Sequence, residues 1–176
     1  MSSIAKVIEL VAEADEGWEE AAHNVRRARP RVRQGRTLKP IETVLLIDDD
    51  PDTRDILRTY LGHHGYAVAE ARTLADGLRM AAAVRPSVIV CELIVPWPNG
   101  PCMLDALEAA SLRAPVTIVL TAELHWDVRA HAARLGVPLL AKPINPADVL
   151  AEIRRRAVRP SPEDLAPARQ PVARGA

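Results

Sequence analysis

Short apolar runs that alternate with helix-like segments constrain the fold of this chain more than any other feature. Four runs consist mostly of Val, Ile and Leu: Val44–Ile47, Val88–Cys91, Val116–Leu120 and Val137–Leu140. Continuous apolar runs of this length are typical of strands buried on both faces of a parallel sheet. A fifth run, Tyr66–Glu70, is half polar, so we expect an edge strand there.

Between these runs lie segments whose apolar residues recur at helical spacing. Strands that alternate with helices, with Gly and Pro at the joints, predict an α/β domain built as a (βα)5 unit. Right-handed crossovers favour a doubly wound parallel sheet in the strand order 2-1-3-4-5. The helical stripes are Ile56, Leu57, Tyr60 and Leu61; Leu74, Leu78, Ala81 and Ala82; Leu104 and Leu107 within Pro101–Ala110; Val128, Ala132 and Leu135; and Val149, Leu150 and Ile153.

The predicted domain occupies residues 41–156 and leaves two flanks. Residues 1–40 combine a strand-like segment, Ile4–Val11, with one helix and a basic linker. Residues 157–176 contain four prolines and no periodicity, which indicates a disordered tail. Residues 26–39 carry seven basic side chains and no acidic one. Contact with nucleic acid or an acidic partner is compatible with this stretch, but a solvated helix end is the commoner case.

Composition excludes several classes of protein. The 23 basic side chains equal the 23 acidic ones, and a net charge of zero argues against a molecule that coats nucleic acid. No apolar stretch approaches the roughly 20 residues that span a bilayer. Cys91 and Cys102 lack a CxxC motif and suit a reducing compartment. We therefore expect a cytoplasmic protein without a membrane segment.

Polar side chains follow the predicted strands at the points where the strands end. Asp48 and Asp49 follow the first run, Glu92 the third, Thr121 the fourth and Lys142 the fifth. In an open parallel sheet these ends meet at one edge, where ligands bind. Carboxylate oxygens are ligands for Mg²⁺, and an ammonium with a hydroxyl suits phosphoryl oxygens. The sequence thus predicts a magnesium and phosphoryl site with Asp48, Asp49 and Glu92 around the metal.

Several motifs in order resemble the receiver domain of two-component response regulators, over about residues 42–156. They are VLLIDDDP from Val44, PSVIVCE ending at Glu92, LIVP ending at Pro96, LTA around Thr121, and Lys142-Pro143. The resemblance implies that Asp48 and Asp49 hold Mg²⁺ and that Thr121 and Lys142 contact a phosphoryl group. It also implies a sensor histidine kinase or another signalling protein as partner, and an output face around Val128–Arg156.

Two positions depart from the receiver pattern. Glu92 stands at the phosphoacceptor position, where the family has Asp, and Leu139 stands at the aromatic switch position. The additional methylene of Glu pushes its carboxylate toward Lys142 and the metal by roughly one bond length. We expect a module that works without phosphorylation. Weak phosphorylation of Glu92, as in a conventional regulator, and an inert pocket that does not switch are the alternatives.

Some of these residues also have plain structural explanations. Asp50 before Pro51 is a favourable helix cap, which explains part of the acidic run. We expect His63 and His64 to face solvent at a helix end, and Cys91 to be a small buried apolar residue. Trp97 follows Glu92 in a loop, where it either covers the pocket or packs locally.

Alternative classes are less well supported. Asp48, Asp50, Thr121 and Lys142 loosely resemble haloacid-dehalogenase-type phosphatases, but Asp52 stands where that family has Thr or Val. We therefore expect no enzymatic activity. A flavodoxin-like flavin site is disfavoured because the carboxylates of the first loop would repel a phosphate.

The N-terminal segment has a resemblance of its own. Residues 3–36 look like the first strand and helix of dodecin, a flavin-binding oligomer, without its later strands. A single strand and helix cannot bury their apolar faces, so docking onto the receiver and self-association as a homo-oligomer are both open. No DNA-binding helix-turn-helix fits in residues 157–176, so we expect action through protein contact.

Overall fold

Five parallel strands alternate with five helices in the part of the chain that the structure describes. The computed structural model describes His23 and residues 42–93, 103–122 and 125–157. The strand order is 2-1-3-4-5, so the predicted doubly wound (βα)5 fold is confirmed. In chain order the elements are β1 (Thr43–Ile47), α1 (Pro51–His63), β2 (Ala67–Ala71), α2 (Leu74–Val84), β3 (Val88–Glu92), α3 (Met103–Ala109), β4 (Val116–Thr121), α4 (Trp126–Arg134), β5 (Leu139–Ala141) and α5 (Pro146–Ala157).

The sheet divides the apolar core into two layers. Successive side chains of a strand point to opposite faces, so Leu45 and Ile47 of β1 pack on one side and Val44 and Leu46 on the other. The first layer is closed by α2 and α3, and the second by α1 and α5. All strand pairs are parallel, so the carboxyl ends of the strands lie along one edge of the sheet.

Side-chain caps begin the first two helices. The Asp50 carboxylate accepts hydrogen bonds from the backbone N–H groups of Asp52 and Thr53, and Pro51 occupies the first helical position. The predicted cap at Asp50 is thereby confirmed. At α2, Thr73 caps the helix by accepting from the N–H of Asp76. These local contacts set where the chain turns from the sheet edge into each helix.

Two details of the sequence prediction were wrong. The fifth strand is Leu139–Ala141 rather than Val137–Leu140, and it is half-buried, because it is an edge strand that pairs only with β4. Val137 instead closes the end of α4, where its N–H donates to the carbonyl of Ala132. Ile56 was assigned to the buried stripe of α1 but is 51% exposed, since Leu57 and Leu61 fill the core position.

The predicted flanks fall outside the described residues. The extension 1–40 with its dodecin-like strand and helix, the tail 157–176 and Trp97 are not described, apart from His23 and Ala157. Within the described ranges, no helix is both long and apolar enough to cross a membrane.

Candidate functional site

Four of the predicted site residues meet at the carboxyl edge of the sheet. Asp48 follows β1, Glu92 ends β3, Thr121 ends β4 and Lys142 follows β5. Asp48 and Glu92 are only 3% and 7% exposed, and Thr121 is buried as well. Two acidic side chains are thus removed from water at the same edge, which is unfavourable unless a positive charge accompanies them.

Lys142 supplies that charge. Its Nζ atom lies 2.9 Å from Asp48 Oδ2 and 2.8 Å from Glu92 Oε2, so one ammonium bridges both carboxylates. Partial burial alone would lower the pKa of Lys142, but hydrogen bonds and charge from Glu92 and Asp48 outweigh burial and raise it. The lysine therefore remains protonated at any physiological pH.

Backbone amides hold the second oxygen of each carboxylate. The N–H of Asp50 donates to Asp48 Oδ1 at 3.0 Å, and the N–H of Leu93 donates to Glu92 Oε1 at 2.9 Å. Lys142 is fixed in turn, because its own N–H donates to the carbonyl of Thr121 at 2.8 Å. The three charged groups are consequently held by backbone groups at or just after the ends of β1, β3 and β4.

Asp49 does not join this cluster. Its side chain is exposed, whereas Asp48 points inward. In the described part of the chain, no group of three or more His, Cys, Asp or Glu side chains could hold a metal ion. Since Mg²⁺ usually takes only one or two protein carboxylates and completes its shell with water, Asp48 and Glu92 suit it as ligands, and the set Asp48, Asp49 and Glu92 stays a prediction.

Comparison with known proteins identifies the family. The model of the response regulator receiver domain matches residues 44–154, a range that contains every predicted site residue. The chain belongs to the response regulator receiver family. Such domains are the signal-accepting part of two-component systems, interact with histidine kinases and generally bind Mg²⁺ at the phosphorylation site.

Relatives and solved structures agree with this assignment. Response regulator MprA of Mycobacterium tuberculosis (strain H37Rv) is 32% identical over 124 residues, which cover 70% of this chain and 54% of the relative. MprA of Mycobacterium avium (strain 104) is 31% identical over 122 residues, covering 69% and 53%. The chain thus spans about half the length of the curated relatives it matches.

Solved receiver structures have the same fold. A CheY-like response regulator receiver domain from Methanospirillum hungatei has a TM-score of 0.59 at 24% identity, over 66% of this chain and 93% of that one. The receiver domain of a Francisella response regulator also has a TM-score of 0.59, at 20% identity, over 65% and 95%. At these identities the likeness concerns the fold alone.

The remaining predicted residues lie outside the cluster of charged side chains. Leu139 lies in β5 opposite Val119 and packs half-buried against the core layer of α2 and α3. Cys91 is buried, and His63 and His64 are exposed, as predicted. The bond between Lys142 and Pro143 is cis.

Sequence reasoning missed Arg54. Its guanidinium donates to the carbonyl of Asp48 at 2.7 Å and lies 3.7 Å from Glu70 of β2. Arg54 therefore ties α1 to the strand end that carries Asp48. Its position on α1, within reach of the preceding strand end, is the signal that could have identified it, because a long cationic side chain there can reach a buried carbonyl.

Proposed function

We propose that this receiver domain is an atypical signalling module in which Glu92 takes the phosphoacceptor position and which works without phosphorylation. It acts by binding other proteins. The observation that carries the proposal is the contact of 2.8 Å between Lys142 Nζ and Glu92 Oε2. By the resemblance to the family, this lysine contacts the phosphoryl group.

Phosphotransfer requires a carboxylate oxygen that can attack phosphorus in line with the leaving group. Oε2 of Glu92 faces the ammonium of Lys142, and Oε1 accepts from the N–H of Leu93. Glu92 is also almost fully buried, so a donor has little access to either oxygen. The negative charge that phosphorylation would bring near Lys142 is already supplied by Glu92 itself.

The switch position supports the same proposal. Leu139 carries no aromatic ring, and its side chain packs against the core rather than against the site. A carboxylate already contacts Lys142, and no aromatic ring can change its position at residue 139. Phosphorylation would therefore change the structure of this domain little. We propose accordingly that it presents one constant surface to its partner.

The surface for that partner is proposed to lie around Val128–Arg156. Helix α4 buries only Ala132 among its nine residues, and Trp126 at its start is 82% exposed. Aromatic residues of this kind are frequent centres of protein interfaces. The partner is proposed to be a sensor histidine kinase or another cytoplasmic signalling protein, with no membrane contact.

We further propose that the domain has no enzymatic activity and binds Mg²⁺ weakly. The phosphatase alternative requires a carboxylate that is open to a phosphoester, whereas Asp48 is buried and bridged to Lys142. Weak metal binding follows from the same bridge. A turnover assay with a general phosphomonoester is expected to show no hydrolysis above that of a Lys142→Met variant.

The decisive experiment is intact-mass measurement after incubation with a small acyl-phosphate donor and MgCl2. We expect no phosphoryl adduct on the parent protein. Glu92→Asp should gain one phosphoryl group, because the shorter side chain withdraws the carboxylate from Lys142 and restores the family's acceptor. An adduct on the parent that disappears in Glu92→Gln would contradict the proposal and indicate a conventional regulator that uses Glu92.

A matched control distinguishes a variant that does not fold from one that folds but does not accept a phosphoryl group. Glu152 lies on α5, away from the carboxyl edge, and carries a paired carboxylate like Glu92. Like the parent, Glu152→Asp should gain no phosphoryl group. If neither the parent nor Glu92→Asp is modified while circular dichroism shows both folded, the pocket itself is inert, and Glu92 is not what prevents phosphorylation.

A further inference from the structure

Strand β2 forms one side of the sheet and directs backbone groups away from it. Among the described residues, β2 pairs only with β1. The N–H of Ala67 and the carbonyl of Ala71 make their hydrogen bonds on the side of β1, at 3.1 Å each. Because successive residues of a strand direct their backbone groups to opposite sides, Val68 and Glu70 direct theirs to the outer edge of β2. Such an edge is a template for one more strand.

The side chains on one face of β2 are only partly covered. Tyr66, just before the strand, and Val68 are half-buried apolar residues that pack against the layer of α1 and α5. Glu70 follows on the same face. Its side chain is 34% exposed, although Arg54 and Arg58 lie 3.7 and 3.1 Å away. The edge therefore presents two apolar positions followed by an acidic one, at alternate residues.

The strand-like segment Ile4–Val11, which lies outside the described residues, has the complementary pattern. When the segment runs antiparallel to β2, two of its apolar side chains meet the two apolar positions, and a lysine meets the acidic one. The opposed pairs are Leu10 with Tyr66, Ile8 with Val68, and Lys6 with Glu70. Apolar pairs and pairs of opposite charge stabilise a sheet when they lie directly opposite each other. An antiparallel edge strand on an otherwise parallel sheet is common.

The path of the chain also fits this placement. In the antiparallel arrangement Val11 ends beside the amino end of β2. Strand β1 begins at the same end of the sheet, where the carbonyl of Glu42 accepts from the N–H of Ala67. Neighbouring strands lie about 4.7–4.9 Å apart, so two strand spacings separate these points by roughly 10 Å. Residues 12–41 can connect them without crossing the sheet.

The opposite edge of the sheet fits the segment less well. Strand β5 has three residues, Leu139–Ala141, and follows directly after Pro138. Two further strands, β3 and β4, separate it from β1. Its outward-facing residues, Leu139 and Ala141, include no acidic side chain that could meet Lys6.

We propose that the segment Ile4–Val11 docks antiparallel on the outer edge of β2 as an additional strand, with Ile8 opposite Val68. The docked strand covers an edge that could otherwise pair with another chain. This inference is independent of the proposed function, since β2 carries neither Glu92 nor Lys142. It gives the receiver a docking site for the chain's own N-terminal segment.

Residue-resolved amide hydrogen exchange of the full chain tests this docking. The N–H groups of Val68 and Glu70 should be protected from exchange at least about tenfold more than those of Leu139 and Ala141, because a paired amide must open before it exchanges. The two amides of β5 are the internal control, since they face outward at the other edge. Equal protection at the two edges would overturn the inference.

Two proline variants connect the protection to the segment. Ile8→Pro removes a donor at the centre of the docked strand and should reduce the protection of Val68 and Glu70 to that of the β5 edge. Ser3→Pro, just outside the segment, is the matched control and should leave their protection unchanged. The N–H of Ala69 faces β1 and should stay protected in both variants, which shows that the domain is folded. Protection of Val68 that survives Ile8→Pro would contradict the docking.

Two further measurements identify the direction of the strand and the molecule that supplies it. Between hydrogen-bonded pairs of an antiparallel ladder, opposed Cα atoms approach to about 4.5 Å. A nuclear Overhauser contact between the Hα atoms of Val7 and Ala69 is therefore expected, and its absence would overturn the proposed register. The protection of Val68 should not depend on protein concentration. Protection that is lost on dilution would mean that a second copy supplies the strand and would overturn docking within the chain.

Discussion

Helices α2 and α4 lie on the same side of the sheet but are held by different forces. Helix α2 buries seven of its eleven residues, among them Leu74, Leu78 and Met80. Helix α4 buries only Ala132 of its nine residues. Apolar burial contributes most of the free energy of folding, so α2 is a structural part of the domain. Helix α4 must be retained by something else.

Polar contacts hold α4 to the rest of the domain, since the helix buries little apolar surface. His131 Nε2 on α4 lies 3.0 Å from Asp105 Oδ1 on α3. Arg113 donates to the carbonyl of Leu135 at 3.2 Å, and Arg156 of α5 donates to the carbonyl of Gly136 at 3.4 Å. Exposed contacts of this kind are individually weak. The comparison indicates that α4 is held to the domain more weakly than α2.

The largest expected effect is a difference between the two helices in how much a substitution lowers the free energy of unfolding. Leu78→Ala in α2 removes a fully buried side chain and should lower the free energy of unfolding by about 2–5 kcal/mol. Trp126→Ala in α4 removes a larger but exposed side chain and should change it by less than about 0.5 kcal/mol. Urea unfolding followed by circular dichroism measures both. Similar losses in the two variants would show that α4 is packed as tightly as α2.

A smaller effect is expected when one contact of α4 is removed. Asp105→Asn removes the carboxylate that contacts His131 and should lower global stability by at most about 1 kcal/mol. Amide hydrogen exchange should accelerate in α4 and remain unchanged in α2, because α4 opens locally. Asp55→Asn on α1 is the matched control, since Asp55 is also exposed and ion-paired, with Arg58. Equal acceleration in both variants would contradict the role of Asp105.

Local sequence patterns were sufficient to predict the fold and part of the site. Buried parallel strands leave long apolar runs, and the cap at Asp50 needs only the next few residues, so both could be predicted. The placement of Asp48, Glu92, Thr121 and Lys142 at one edge also follows, because parallel strands end on the same side. Each of these features depends on the order of residues along the chain.

Features that depend on distances across the fold could not be predicted. The same apolar pattern fits a central strand and an edge strand, so the position and exposure of β5 required the sheet itself. Nothing in the acidic run distinguishes Asp48, which is buried, from Asp49, which is exposed. The bridge through Lys142 joins residues about 50 and 90 positions apart, and only their common edge brings them together.

The smallest expected effect concerns Glu152. This residue positions Arg156, which contacts the carbonyl of Gly136 just after α4. Its carboxylate accepts from Arg156 at 2.6 Å, and Arg156 reaches the carbonyl of Gly136. Partial burial would raise the pKa of Glu152, but hydrogen bonds and charge from Arg156 and Arg155 outweigh it and hold the pKa below its ordinary value of 4.5. The stabilisation is therefore present above that pH and is lost as the pH falls through the lowered pKa.

Comparison of the parent with Glu152→Gln isolates this contribution, because all other carboxylates titrate in both proteins and cancel. The parent should be slightly more stable at neutral pH, and the two unfolding midpoints should converge as the pH falls below 4.5. In an Arg156→Met background the difference at neutral pH should shrink, since the principal partner of Glu152 is gone. A difference that is constant across this pH range would mean that the charge of Glu152 does not stabilise the contact between α5 and the end of α4.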